Sequence, residues 1–288
     1  PANILATPER RLPARGALQA APVFDDSGTA FVADMSGTVQ AFSRGGKLLW
    51  GTALEGGISA TPALHATQGR LFVGTHAGRV YALDVASGAM IWRQTLPTKS
   101  DPRILSDLLF LAGPELVVLS SWGGRFCALA ADTGNERFSW DAGISPGSAP
   151  CADPENNIYC LRATDSKGIE FVRVTAAGAE TVLHSVDPGK QGARRALVAA
   201  GPAIDPERAV VYFVANLDQG GLLHAWALKS GKLLWTYPLA ASVQASPAIL
   251  PNGLVVVADL SGYVRGIGPD GSLQYRYASG CEYLLAGG

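Results

Sequence analysis

Apolar residues in this chain gather in short runs rich in β-branched and aromatic side chains, among them Leu71–Val73, Leu116–Leu119, Val210–Val214 and Leu254–Val257. Turn-forming residues bound the runs. Asp26–Gly28, Glu155–Asn157 and Pro251–Gly253 suit tight hairpins, because Asn, Asp and Gly tolerate the dihedrals such turns need. No helical periodicity of ten or more residues separates the runs, which sets aside a parallel α/β fold. The pattern predicts short antiparallel strands joined by hairpins.

The runs sit inside a repeat. One frame opens at Gly78, closes at Gly88 and is followed by Trp92; another runs from Gly221 to Gly231 and leads to Trp235. Gly37–Gly46 with Trp50, Gly124–Gly134 with Phe138 and Gly262–Gly271 with Tyr275 share the frame, and Gly168–Gly178 with Val182 is a degenerate copy. The second glycines step by 42, 46, 44, 53 and 40 residues. Ahead of most frames lies a small-residue stretch carrying a proline: Ala20–Val23, Ala60–Ala63, Ser148–Cys151, Ala200–Ala203 and Ala245–Ala248, with Ser106–Leu109 in the third copy. We read that stretch as strand a, so that each repeat holds four strands, a to d.

A lone four-stranded sheet exposes two apolar faces, so such repeats stack face to face around an axis. Small residues in strand a fit the crowded centre. Large ones in strand d, notably Trp50, Trp92 and Trp235, fill the wide rim and dock one blade on the next. The expected fold is therefore all-β: a β-propeller of four-stranded antiparallel blades, with six complete blades and an incomplete seventh. The chain reads as one domain, 1–288, with blades at roughly 18–55, 56–99, 100–143, 144–188, 195–240 and 241–279. Residues 1–17 and 280–288 share the incomplete blade, and the natural polypeptide is expected to extend beyond Gly288.

Composition narrows the function classes. Lys plus Arg number 23 against 24 Asp plus Glu, and only 16% of residues are charged. That balance gives no electrostatic footprint for nucleic acid or an anionic membrane surface. No apolar run approaches the roughly 18 residues a membrane span needs. Cys127, Cys151, Cys160 and Cys281 lack metal-ligand spacing and are expected to be free, buried thiols. Cys151 and Cys160 flank one predicted hairpin, where strand register decides whether they meet.

The frame from Gly78 through Val80–Asp84, Ser87 and Gly88 to Trp92 resembles the PQQ-like repeat shared by quinoprotein dehydrogenases and the BamB outer-membrane assembly lipoproteins. The resemblance spans roughly Leu18 to Ala278 and lacks the signature of WD40 blades. It implies a propeller, a periplasmic or extracytoplasmic location, and one of two roles. As a dehydrogenase, the chain would need a Glu/Asn/Asp set for Ca²⁺, an Asp base, a Trp platform and, in many members, adjacent cysteines. It has no adjacent cysteines, and Asp107 and Glu282 are the acids that stand out on predicted inner strands, so neither PQQ nor Ca²⁺ nor any other metal is expected. As a scaffold, it would present loops to a protein partner. No G-x-S-x-G, H-E-x-x-H, C-x-x-C or phosphate-loop pattern argues for another chemistry.

Residues common to all blades, including Gly78, Gly88, Gly221 and Gly231, read as structural, as do Asp34 and Asp259, whose carboxylates are expected to accept turn amide hydrogens. Residues that break the repeat are the binding candidates. His76 and Trp122 stand in b–c loops, where Trp122 either offers a stacking face at the channel mouth, for a partner or a small molecule, or folds onto its own blade. The d–a segment Lys99–Arg103 contributes Arg103. An insertion, Asp187–Arg195, contributes Lys190, Arg194 and Arg195, as a functional loop or a tolerated one.

Overall fold

In the computed structural model the described residues are 13–97, 100–141 and 148–279. They form six antiparallel sheets in chain order. Blade 1 comprises β1 (Val23–Phe24), β2 (Ala30–Ala33), β3 (Thr38–Phe42) and β4 (Leu48–Ala53); blade 2, β5 (Ala63–His65), β6 (Arg70–Gly74), β7 (Arg79–Asp84) and β8 (Met90–Thr95). Blade 3 comprises β9 (Leu109–Leu111), β10 (Leu116–Ser120), β11 (Arg125–Ala130) and β12 (Glu136–Asp141); blade 4, β13 (Cys151–Ala152), β14 (Ile158–Ala163), β15 (Ile169–Val174) and β16 (Glu180–Val186). A two-residue strand β17 (Ala196–Leu197) precedes blade 5, made of β18 (Ala203–Asp205), β19 (Val210–Leu217), β20 (Gly221–Ala227) and β21 (Lys232–Leu239). Blade 6 is β22 (Ala248–Ile249), β23 (Val255–Ala258), β24 (Tyr263–Ile267) and β25 (Leu273–Ala278). Among the described residues the one helical turn is a 3₁₀ turn at Gly189–Gln191, and no helix is long and apolar enough to cross a membrane.

The apolar core lies between blades. Because side chains alternate across a strand, Leu71 and Val73 of β6 join Phe31, Val39 and Trp50 of blade 1, while Phe72 between them joins Val117, Leu119 and Leu129 of blade 3. The same division gives clusters between blades 3 and 4, 4 and 5, and 5 and 6. Middle strands are thus covered on both sides, and β3, β10 and β19 are buried at every residue. This explains the largely apolar sequences of β10 and β19.

Inner strands of neighbouring blades lie against one another: β5 on β9, β13 on β18, and β18 on β22. The small-residue stretch is mostly the approach to strand a rather than the strand itself. β1, β5, β9, β13, β18 and β22 each begin at, or just after, its proline-following residue or its last residue. Proline fits just ahead of the strand because it has no N–H for the ladder. The small residues answer a close approach: a Cβ at Gly201 would collide with the Ala149 carbonyl of blade 4.

At the rim, Trp50, Trp92, Phe138 and Trp235 each pack on the c–d glycine of the following blade, respectively Gly88, Gly134, Gly178 and Gly271. The three indoles also donate across the seam, Trp50 Nε1 to Val85 O at 2.8 Å, Trp92 Nε1 to Ala131 O at 3.0 Å and Trp235 Nε1 to Pro269 O at 2.8 Å. Blade 4 departs from this. Val182 holds the aromatic's place on β16, and nothing lies within 4 Å of a Cβ position at Gly231 in blade 5.

Two frame glycines are displaced by one residue. In blade 5 the left-handed residue of the b–c turn is Gly220 (φ +85°), so Gly221 is the first strand residue; in blade 4 Lys167 (φ +64°) takes that role ahead of Gly168. Blade 5 also exceeds four strands. β17 pairs with β19 through Ala196–Leu217 and Leu197–Asn216, beside β18 on the same edge. The long step in the repeat is therefore partly ordered as a strand. The expected incomplete blade comprises 1–17 and 280–288; residues 13–17 carry no strand, and the rest of it, with Cys281 and Glu282, lies outside the described residues.

Candidate functional site

Each blade's chain direction puts its b–c turn and its d–a connection at one end of the sheet, and its a–b and c–d turns at the other. All six repeat-breaking candidates therefore share one face. On that face four of the segments that lead into a blade are bonded to a b–c turn by backbone hydrogen bonds. Met35 N–H donates to Ala17 O, His76 N–H to Gly57 O, Trp122 N–H to Arg103 O and Leu260 N–H to Ser242 O, all at 2.7–2.9 Å.

Between blades 2 and 3 this threading assembles a patch. Residues 100–104 run from the Thr75–Gly78 turn to the Ser121–Gly124 turn: Ile104 N–H donates to Thr75 O at 3.2 Å and Gly123 N–H to Asp101 O at 2.9 Å. Pro102 rests on Gly78, and Gly123 leaves room for Ser100 and Asp101. His76, Arg103 and Trp122 are thereby brought together. The Arg103 guanidinium lies 5.4 Å from the centroid of the half-buried Trp122 ring, a cation–π arrangement. Arg103 Nη2 donates to Asp101 Oδ2 at 2.6 Å and Nε reaches both carboxylate oxygens. The Arg103 hydrogen bonds hold the Asp101 carboxyl below the usual carboxylate range. His76 Nε2 meets Ser59 Oγ at 2.7 Å. Burial, then the Arg103 charge, pushes the His76 pKa down against the opposing pull of Asp101, which keeps the ring neutral at pH 7.

Lys190, Arg194 and Arg195 form a second group between blades 4 and 5. Lys190 sits in the 3₁₀ turn. Arg194 N–H donates to Asp218 Oδ2 at 2.8 Å, and the side chains of Arg194 and Arg195 both reach Asp218 at 3.4 Å. Ala196 N–H donates to Lys167 O at 2.7 Å, tying the insertion to the b–c turn of blade 4. A cavity of about 480 Å³ opens here, lined by Lys167, Arg194, Arg195, Leu197 and Asp218. The Arg194 hydrogen bond lowers the Asp218 pKa.

Ser59, Asp101, Lys167 and Asp218 complete these patches and were not singled out in the sequence. Asp218 had a signal: it follows the first residue of its b–c turn, as His76 and Trp122 do in theirs. The structural carboxylates behave as turn acceptors. Asp34 takes hydrogen bonds from Ser36 and Thr38 and also from the Arg15 and Gly16 amides; Asp259 takes Ser261 and Tyr263 amides and pairs with buried Arg265. Asp107, the inner-strand acid, accepts the Thr61 N–H at 2.6 Å and so joins blades 2 and 3. Among the described residues no three His, Cys, Asp or Glu side chains group as metal ligands.

The sequence profile of the outer membrane protein assembly factor BamB matches residues 35–164 and 178–282. The BamB of Bordetella pertussis is 27% identical over 264 residues, covering 88% of this chain; the chain spans 64% of that relative's length. Among solved structures, BamB from Moraxella catarrhalis superposes with a TM-score of 0.70 at 18% identity, covering 92% of this chain and 78% of that one. Sqt1 of Saccharomyces cerevisiae gives 0.69 at 15%, covering 88% and 72%, and a europium-containing methanol dehydrogenase gives 0.68 at 12%, covering 90% and 68%. These structural likenesses establish the propeller fold.

Proposed function

The chain belongs to the family of the outer membrane protein assembly factor BamB, and we propose that it acts as a non-catalytic propeller presenting its b–c and d–a loops to a protein partner during outer membrane protein assembly. The observation that carries this reading is the patch at blades 2 and 3. Arg103 and Trp122, residue types enriched where binding energy concentrates, meet there on a surface built from two blades. Their neighbours are committed to holding them: Asp101 fixes Arg103, and neutral His76 is engaged by Ser59. Ser59 Oγ and His76 Nε2 lie 2.7 Å apart, and the reading takes that pair as a support of the patch rather than as a nucleophile with its base. The reading takes no quinone and no Ca²⁺, and places the protein outside the cytoplasm, in the periplasm.

A photo-cross-linking residue placed at Trp122 in producing cells tests it, with the same residue at exposed Lys229 on the opposite face as control. A polypeptide adduct from position 122 and none from 229 is expected. In parallel, Trp122→Ala should lower the amount of folded outer membrane protein while the variant itself stays folded. Equal adducts from both faces, no adduct at all, or robust dye-linked alcohol oxidation on adding PQQ and Ca²⁺ would overturn the reading.

A further inference from the structure

The seam between blades 4 and 5 lacks its rim aromatic, and it is also where two of the chain's four histidines meet. Val182 stands in the aromatic's place and Gly231 is bare. Further along the same seam lies a cavity of about 310 Å³, walled by His184, Asp187, Lys190, Leu222, His224 and Thr236 among others. The insertion after β16 closes one side of it. Asp187 Oδ1 accepts the Gly189 N–H at 2.9 Å and so holds the insertion's turn in place.

His224 is 4% exposed. Its Nδ1 is committed to Thr236 Oγ1 at 3.0 Å, and its buried Nε2 has no hydrogen-bond partner. An orphaned buried polar atom is costly and calls for a ligand. His184, on the facing blade, has its ring centroid 5.5 Å from that of His224. With the His224 Nδ1–H donated to Thr236 Oγ1, the orphaned Nε2 carries that ring's lone pair. The chain's other two histidines differ: His65 and His76 have their Nε2 atoms engaged by Glu115 and Ser59.

We propose that His184 and His224 form a two-histidine site for a borderline divalent cation such as Zn²⁺, Ni²⁺ or Cu²⁺. Imidazole nitrogen suits these ions over Mg²⁺ or Ca²⁺. The spacing fits. With metal–nitrogen bonds of about 2.0–2.1 Å, two imidazole rings at a tetrahedral angle have centroids roughly 5 Å apart. No third His, Cys, Asp or Glu completes the set among the described residues, so water fills the remaining positions, as the cavity volume allows. The exposed Lys190 ammonium sits on a flexible stem that can turn to solvent, and the Asp187 carboxylate offsets its charge.

The test uses the full chain without a histidine tag. Calorimetric titration with Ni²⁺ and Zn²⁺ at pH 7.5 should show one saturable site. Cu²⁺ should give an electron paramagnetic resonance spectrum with hyperfine structure from two nitrogens. His184→Ala, at a half-buried position, should weaken binding by about tenfold or more, since losing even an outer partner of a ligand costs about that much; His224→Gln should do the same while keeping a polar group in place. Unchanged affinity in both variants, or only weak binding at many sites, would overturn the assignment. Neither result touches the docking role of Trp122.

Discussion

Trp50 packs on Gly88 of the following blade so closely that a Cβ at residue 88 would lie 2.5 Å from the indole Cε3. Gly88 also has φ +71°. Gly88→Ala therefore combines a left-handed backbone penalty with overpacking, together about 2–4 kcal/mol. Gly231 has φ +62° but nothing within 4 Å, so Gly231→Ala should cost only about 1 kcal/mol. Urea midpoints of the two variants measure the difference. Equal midpoints would mean the rim aromatics do not set the seam.

That contrast was half legible in the sequence. The aromatic in strand d and the glycine before it recur because every filled seam needs both, and periodicity exposes them. Val182 was visible as a gap in the pattern, but the cavity further along that seam was not, because His184 and His224 come from different blades. The patch at Trp122 was legible by residue type only. Its assembly depends on Arg103 O and Thr75 O acting as backbone acceptors, and every residue has such an oxygen, so no side-chain pattern marks it. The strand β17 was hidden for the same reason: its pairing to Leu217 and Asn216 is backbone chemistry in a stretch rich in charge and glycine.

Burial, and secondarily the neighbouring His184, brings the His224 pKa down to about 4 from an ordinary 6.5. The unfolded chain then binds a proton that the folded chain refuses between those two values. Stability from this group is complete above pH 6.5 and is lost as pH falls toward 4, by about 3 kcal/mol in order of magnitude. His224→Gln should flatten that limb of the stability–pH curve. Denaturation midpoints at pH 7 and pH 4.5 give the comparison, and an unchanged slope in the variant would refute the assignment.

Asp34 has the same proton sense, although here the form the fold favours is the charged one. Burial alone would raise its pKa, but hydrogen bonds from Ser36, Thr38 and Gly16 bring it below 3.8. A carboxylate with a depressed folded pKa stabilises above its unfolded value, and loses that contribution as pH falls through the folded one. Asp34→Ala removes the acceptor and leaves amides of the turn and of Arg15 and Gly16 unpaired, at a cost of about 1–3 kcal/mol at pH 7. The gap between wild type and variant should narrow only below the ordinary carboxylate range. A gap that closed already at pH 5 would point to another group.

Cys151 and Cys160 decide the question their spacing raised. Cys151 is paired across the ladder with Tyr159, so Cys160 is one residue past register. Successive side chains point to opposite faces of a strand. Cys151 accordingly packs toward blade 5 with Tyr159, and Cys160 toward blade 3 with Val118 and Phe126. Linking them would require a one-residue slip of β13 on β14, which would turn the whole pairing over. Burial also raises the Cys151 pKa and takes those of Cys127 and Cys160 to about 12. At pH 8 the latter two carry thiolate at about one part in ten thousand, against a substantial fraction for an ordinary thiol. Maleimide should therefore modify these three cysteines slowly in native buffer and rapidly in urea. Non-reducing peptide maps of air-oxidised native protein should contain no 151–160 link. Recovery of that linked peptide would show that β13 pairs in a different register.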